Sequence, residues 1–257
     1  MTFLQGLILG IIQGLTEFLP ISSSGHLKLG QIFFGFEDLE QYVLFDLICH
    51  FGTLCAIFTL LAAEISLLFR SDRSKLITIM IATLPLFPLV LVLGPIKEIM
   101  ERPEYLGCFF LITALFLHMG DRSERIEPER AWSRGDALKL GIAQAVAVLP
   151  GISRSGSMIS TARVLGWPQA EAIRFTILMA VPAILGGMAL ETLEVILGTL
   201  EVPSISWSVY FAGFFTSFGT GAIILRYLLT KFPDKGYFRP FKWYCMALGI
   251  TTLILLN

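Results

Sequence analysis

From Gln13 to His26 the chain reads Gln-Gly-Leu-Thr-Glu-Phe-Leu-Pro-Ile-Ser-Ser-Ser-Gly-His, with apolar sequence on both sides. Gln13 and Glu17 are four apart, so a helix would put both on one face. Ser22, Ser23 and Ser24 follow a proline and precede Gly25 and His26, a turn-forming composition that leads into a second helix. A related cluster, Gly151-Ile152-Ser153-Arg154-Ser155-Gly156-Ser157, follows Pro150. Small residues, hydroxyls and a helix N-terminus make an anion cradle, because backbone N–H groups point at the ligand and the helix dipole favours negative charge. Arg154 adds a cation whose planar fork matches phosphate oxygens. Glu17 would repel such an anion unless it acts as a base, holds a divalent cation or pairs with Arg154. Carboxylate, histidine, serines and cradle together suit phosphoryl transfer better than anion binding alone. A serine or histidine would attack phosphorus while its neighbours move protons.

Each residue also has a plainer reading. Glu17 and Arg154 could be an ion pair that locks two segments together. Serines before a helix are most often caps, and His26 could partner a cap. Asp46 and His50, also four apart, could face the same cavity, but read first as supporting polar contacts. Glu64, Glu191 and Glu194 lie near segment ends, where a long side chain reaches water cheaply. Trp132, Trp207 and Trp243 read as interfacial aromatics.

The chain that positions these residues is 55% hydrophobic and 15% charged, with a mean hydropathy of +0.75. A soluble domain carries about 25% charged residues, and several apolar runs reach the ~20 residues needed to cross a bilayer. This is the composition of a membrane protein. In hydrocarbon a polar cluster like 13–26 is costly unless it is buried in protein or lines a wet cavity, which marks it as functional. A net charge of -1 argues against a nucleic-acid partner. The four cysteines fall in apolar segments without metal-ligand spacing and read as small buried hydrophobes. Residues 1–20 lack a basic n-region and a small-residue cleavage site, so the first apolar segment is expected to stay in the mature protein.

Taken in order, residues 3–19 and 27–36 are short apolar pieces broken at Pro20 and the serines. Spans follow at about 42–69, 76–96 and 104–119, and then a charged linker at 120–136. Two more short pieces, 137–149 and 158–166, flank the second cluster, and spans at about 171–199, 207–230 and 240–256 complete the chain. A shift of 131 lays Gly10-Ile11-x-Gln13 on Gly141-Ile142-x-Gln144, and Ile21-Ser22-x-Ser24-Gly25 on Ile152-Ser153-x-Ser155-Gly156. In that alignment Arg154 stands where the first copy has Ser23, and Val148 where it has Glu17. The expected architecture is therefore an all-α polytopic membrane protein, with six transmembrane helices and two re-entrant helical hairpins. It forms one domain over 1–257, with repeats at about 1–119 and 137–257. Each copy has an odd number of crossings, so the copies should have inverted topology. Lys and Arg are concentrated in alternate loops (Arg70, Arg73 and Lys75; the linker; Lys231, Lys235 and Arg239). Lys97 and Arg102 make up the exception of lower charge. The rich loops belong inside and both termini outside. The first hairpin then enters from outside and the second from inside, and their tips meet near the midplane.

With both clusters in view, the sequence resembles the undecaprenyl-diphosphate phosphatases, the bacterial bacitracin-resistance family. Residues 13–26 look like its (Glu/Gln)-x-x-x-Glu motif with downstream serines and histidine. Pro150-Gly151-Ile152-Ser153-Arg154-Ser155-Gly156 looks like its Pro-Gly-x-Ser-Arg-Ser motif. The run Phe-Asp-Leu-x-x-His-x-Gly-Thr-Leu at 45–54 agrees as well, so the resemblance covers essentially the whole chain. It implies an inner-membrane enzyme with a periplasmic site. Such an enzyme hydrolyses undecaprenyl diphosphate to undecaprenyl phosphate and inorganic phosphate, which recycles the carrier for cell-wall (peptidoglycan) synthesis and gives bacitracin resistance. It also implies a divalent cation, Mg2+ or Ca2+. Glu17 carries over as the essential carboxylate and metal ligand, and Arg154 as the diphosphate-binding arginine. Ser22, Ser23 and His26 form the serine–histidine part. Gln13, Ser24, Ser153, Ser155 and Gly156 complete the expected substrate contacts. Gln13 stands where some members have Glu, which removes one candidate ligand or base. The expected catalytic set is Glu17, Ser23, His26 and Arg154, with serine or histidine as nucleophile left open. A polyprenyl-phosphate flippase is the rival reading, and binding without turnover a third. A homodimer is compatible with the sequence.

Overall fold

The computed structural model describes residues 1–36, 38–90, 99, 102–123, 126–198, 204–230 and 238–256. Among these residues the secondary structure is entirely helical. Helix α1 spans Phe3–Thr16, α2 Ser23–Phe33, α3 Val43–Arg70 and α4 Arg73–Thr83. Helix α5 spans Leu106–Arg122, α6 Arg134–Val146 and α7 Arg154–Val164. The last three are α8 (Gln169–Ile196), α9 (Trp207–Thr230) and α10 (Phe238–Leu256).

Among the described residues four segments are long and apolar enough to cross a membrane: Val43–Arg70, Pro103–Arg122, Gln169–Ile196 and Trp207–Thr230. The chain is a multi-pass membrane protein. Two of the six expected spans are not in this set. The span at 76–96 begins as α4 and continues through a 3-10 turn at Leu84–Leu86 and one α-turn at Phe87–Val90, and residues 91–96 lie outside the described residues. The span at 240–256 is helical as α10, but Arg239 and Lys242 in its first turns make it less apolar.

The short pairs α1/α2 and α6/α7 pack as hairpins. Their second helices start earlier than the hydropathy suggests, because the serines act as caps. The Ser22 hydroxyl accepts from Gly25 N and the Ser153 hydroxyl from Gly156 N. Each fills one of the unsatisfied donors of a helix start. Ser23 and Arg154, equivalent under the shift of 131, are therefore the first residues of α2 and α7.

The first helix of each hairpin packs on a span of the opposite half, α1 on α9 and α6 on α4. Small residues permit this close approach. A Cβ added at Gly6 would lie 2.7 Å from Val209 Cγ1, at Gly10 2.6 Å from Gly213 O, and at Gly14 2.6 Å from Ser217 O. Gly141, the counterpart of Gly10, is closed off in the same way by the Ala82 carbonyl. The long helices α3 and α8 pack on each other, and α5 packs on α10 with Gly107 and Gly249 face to face.

The described part of the linker is not a free aqueous tether. Asp136 is 2% exposed and accepts from Arg130 Nη2 (2.9 Å), Lys139 Nζ (3.2 Å) and Trp167 Nε1 (3.2 Å). Burial pushes its pKa up, but hydrogen bonds from Arg130, Trp167 and Lys139 outweigh this and leave the carboxyl below its ordinary value. Trp132 is not a lipid-facing belt residue. Its ring packs on Trp167 and Phe175, and its Nε1 donates to Glu171 Oε2 at 2.7 Å.

Candidate active site

The tips of the two hairpins touch. Gly151 N donates to the Ser22 hydroxyl at 3.0 Å, and the Ser155 hydroxyl donates to Leu19 O at 2.9 Å. A Cβ at Gly25 would stand 2.9 Å from Gly151 Cα. Thr113 of α5 braces the second tip by donating to Gly151 O (2.7 Å) and accepting from Ser153 N (2.8 Å). Two residues at this junction have left-handed backbone, Gly151 at φ 98° and Ser22 at φ 72°. The first suits glycine. The second is uncommon for a residue with a Cβ and occurs where the surroundings over-determine it, often at functional sites.

Glu17 caps the C-terminal end of α1, and its side chain is 2% exposed. Burying a carboxylate is costly unless its lone pairs are met, and here they are. Oε1 pairs with Arg154 Nη2 across the two tips. Oε2 accepts from Ser23 Oγ at 2.6 Å and from Gln13 Nε2 at 2.8 Å. His50 of α3 is 3.4 Å from the same oxygen, and its Nδ1 is 2.8 Å from Gln13 Nε2. With the amide in this orientation it donates to both groups, and neutral His50 carries its proton on Nε2.

The sequence-derived candidates separate into three groups. Glu17, Ser22, Ser23, Ser24, Ser153, Arg154 and Ser155 line one cavity of about 150 Å3, together with His50. At ~30 Å3 per water, that is room for a phosphoryl group. Gln13 is fully buried and engaged with Glu17 and His50, so it does not line the cavity. Gly156 does not line it either; its N–H donates to the Ser153 hydroxyl at 3.0 Å, and a Cβ there would stand 3.2 Å from Pro20 O. His26 is turned elsewhere. Its Nδ1 is 2.7 Å from Ser22 O and must donate to it, so Nε2 accepts from Tyr244 OH at 2.7 Å. The ring stacks on Tyr244 and meets Phe110 edge-on. Among the described residues no hydrogen bond or ion pair joins His26 to Glu17, Ser23 or Arg154.

The imidazole beside the carboxylate is His50, which sequence reasoning assigned to support. Its four-residue spacing from Asp46 was the available signal. Asp46 instead accepts from Gln31 Nε2 at 2.9 Å. A small void of about 10 Å3 adjoins the cavity, sharing Glu17, Arg154 and Ser155 and walled by Ile173, Ile177 and Ala180 of α8.

A carboxylate, a hydroxyl on that carboxylate, a guanidinium and the N-termini of α2 and α7 make a site for a phosphorylated group. Comparison with known proteins agrees with this chemistry. Residues 6–251 match the family model described as bacitracin resistance protein BacA. The chain belongs to this family. It is 47% identical to an undecaprenyl-diphosphatase of Protochlamydia amoebophila, covering 99% of this chain and 98% of that protein. It is 36% identical to an undecaprenyl-diphosphatase of Carboxydothermus hydrogenoformans, over 99% of this chain and 98% of the relative. One of Bacteroides fragilis is 35% identical over the same shares.

Proposed function

We propose that the chain hydrolyses undecaprenyl diphosphate to undecaprenyl phosphate and inorganic phosphate. The observation that carries this reading is the Ser23–Glu17–Arg154 chain, a hydroxyl held 2.6 Å from a buried carboxylate whose other oxygen pairs with the arginine of the opposite tip. A nucleophile within hydrogen-bond reach of its base is the signature of covalent catalysis. Arg154 and the N-terminus of α7 receive the diphosphate. Ser23 Oγ attacks the terminal phosphorus and gives its proton to Glu17, and the bond to the bridging oxygen breaks. Prenyl phosphate leaves with the proton that Glu17 took, and water then releases phosphate from Ser23, giving its proton through Glu17 to the Ser23 oxygen. Placing Ser23 in this role rests on its contact with Glu17 and on the engagement of both ring nitrogens of His26. His26 holds the Ser22 turn.

A divalent cation fits this donor set. Among the described residues no group of three or more His, Cys, Asp or Glu side chains could hold an ion alone. Mg2+ is commonly bound by one or two carboxylates plus substrate phosphates. Glu17 is the carboxylate here, and it lines the cavity beside the hydroxyls of Ser22, Ser23 and Ser24. With Glu17 and a serine hydroxyl as its protein ligands, the ion would neutralise charge on the phosphoryl oxygens.

For the whole chain we propose six crossings, two re-entrant hairpins and inverted repeats, with the site facing the periplasm and both termini outside. The exchange of packing partners, α1 on α9 and α6 on α4, supports a two-fold relation between the halves. A single cysteine at Ser133 should react with an impermeant maleimide only after the cells are permeabilised. Labelling in intact cells would reverse the orientation.

The function is tested by phosphate release from farnesyl diphosphate in detergent, where no second leaflet exists. The hydrolase reading expects steady release that stops when divalent cations are chelated. A flippase would release none.

A further inference from the structure

A second cavity, of about 790 Å3, lies between α5 and α10, away from the hairpin tips. Two facing stripes build it. On α5 the stripe is Leu111, Ala114, Leu115, His118, Asp121 and Arg122, and on α10 it is Arg239, Lys242, Trp243 and Met246. Within each stripe the residues recur at three and four, the spacing of one helical face. Both stripes grade from apolar to charged toward the same end, because α5 ends where α10 begins. There Lys242 Nζ pairs with Asp121, both side chains being nearly buried (13% and 12% exposed), and so joins the two helices. Arg122 and Arg239 are exposed and have no ion-pair partner among the described residues. Leu115 is 58% and Trp243 56% exposed on the outer surface of a membrane protein, so the cavity opens to lipid at the level where Trp sits in the interface.

Long basic side chains at a helix end reach for water wherever they stand. That does not account for guanidinium groups from two helices converging on one concavity with an apolar floor. A basic pocket between transmembrane helices at the membrane surface is the usual receptor for an anionic lipid head group, and the arginine fork fits phosphate oxygens. We infer that this cleft binds the phosphate head group of an anionic membrane phospholipid, with Arg122 and Arg239 on the phosphate and the first methylenes of its chains on Leu111, Leu115 and Met246. In the orientation proposed above, the head group belongs to the inner leaflet, where anionic lipid creates the negative surface potential. The inference does not depend on the phosphatase reading.

The test is thermal unfolding of the full-length protein in neutral detergent with added phosphatidylglycerol, phosphatidylcholine, polyprenyl phosphate or inorganic phosphate. Phosphatidylglycerol at saturating concentration should raise Tm by roughly 5 °C, and phosphatidylcholine and inorganic phosphate should not. The Arg122→Gln/Arg239→Gln protein should lose that shift while its basal Tm and its turnover of farnesyl diphosphate stay unchanged. Retention of the full shift by the double variant would overturn the inference, as would an equal shift with phosphatidylcholine. A polyprenyl phosphate shift that disappears in the double variant, with none from phosphatidylglycerol, would also overturn it by assigning the cleft to a different lipid.

Discussion

Glu17 has four polar neighbours within reach of its two oxygens: Arg154, Ser23, Gln13 and His50. Two of them reach it across the chain, which explains how much of the site the sequence could show. Glu17 and Arg154 were legible because a charge inside apolar sequence is costly and has to be matched. Their pairing also satisfies both the ion-pair reading and the catalytic one, since a bound diphosphate would compete with Glu17 for the guanidinium. His50 was not legible in the same way. It stands in the run at 45–54, whose spacing suggests no catalytic role, and only tertiary packing brings it to Gln13. His26 stood inside the motif and drew attention for that reason, but its ring is spent on Ser22 O and Tyr244 OH. Ser23→Ala tests the assignment at this scale. Removing the hydroxyl should lower kcat by about 10²–10⁴-fold, with KM for farnesyl diphosphate little changed. Tyr244→Phe, which breaks only the His26 contact, should leave kcat within a few-fold of wild type.

The hairpins show how one element type was adapted twice. Pro20 and Pro150, the serines and the glycines placed both turns correctly, while the starts of α2 and α7 moved upstream because Ser22 and Ser153 cap them. Hydropathy alone excludes polar residues from a helix, and capping draws them into its first turn. The two hairpins differ at one helical turn. Gln13 finds Glu17 four residues on, whereas Gln144 finds Val148. Gln144 is 2% exposed, and neither its Oε1 nor its Nε2 has a hydrogen-bond partner among the described residues. A buried amide without partners costs about 1–3 kcal/mol. Gln144→Leu should therefore raise Tm by a few degrees and leave turnover intact. Gln13→Leu should lower both, because it removes the donor to a buried carboxylate. The contrast is read by thermal unfolding and phosphate release on the same preparations.

Across the whole molecule, composition and apolar runs were enough to identify a helical membrane protein. The packing partners were not legible. That α1 lies on α9 and α6 on α4 depends on the backbone approach at Gly10, Gly14 and Gly141, which no hydropathy pattern records. Nor was it legible that Asp136, at the end of the charged linker, is buried and held by Arg130 and Trp167. The exchanged packing has a consequence for the site, because each half supplies only part of it. The base and hydroxyl come from one tip and the guanidinium from the other, and the contact Gly151 N to Ser22 Oγ holds them in register. The central claim is that these tips form a single hydrolytic site. Its most direct test is the turnover of a prenyl diphosphate by purified Glu17→Ala and Arg154→Ala proteins whose unfolding shows an intact fold. Each variant should lose at least about 10²-fold in kcat. Near-wild-type phosphate release by both would contradict the account.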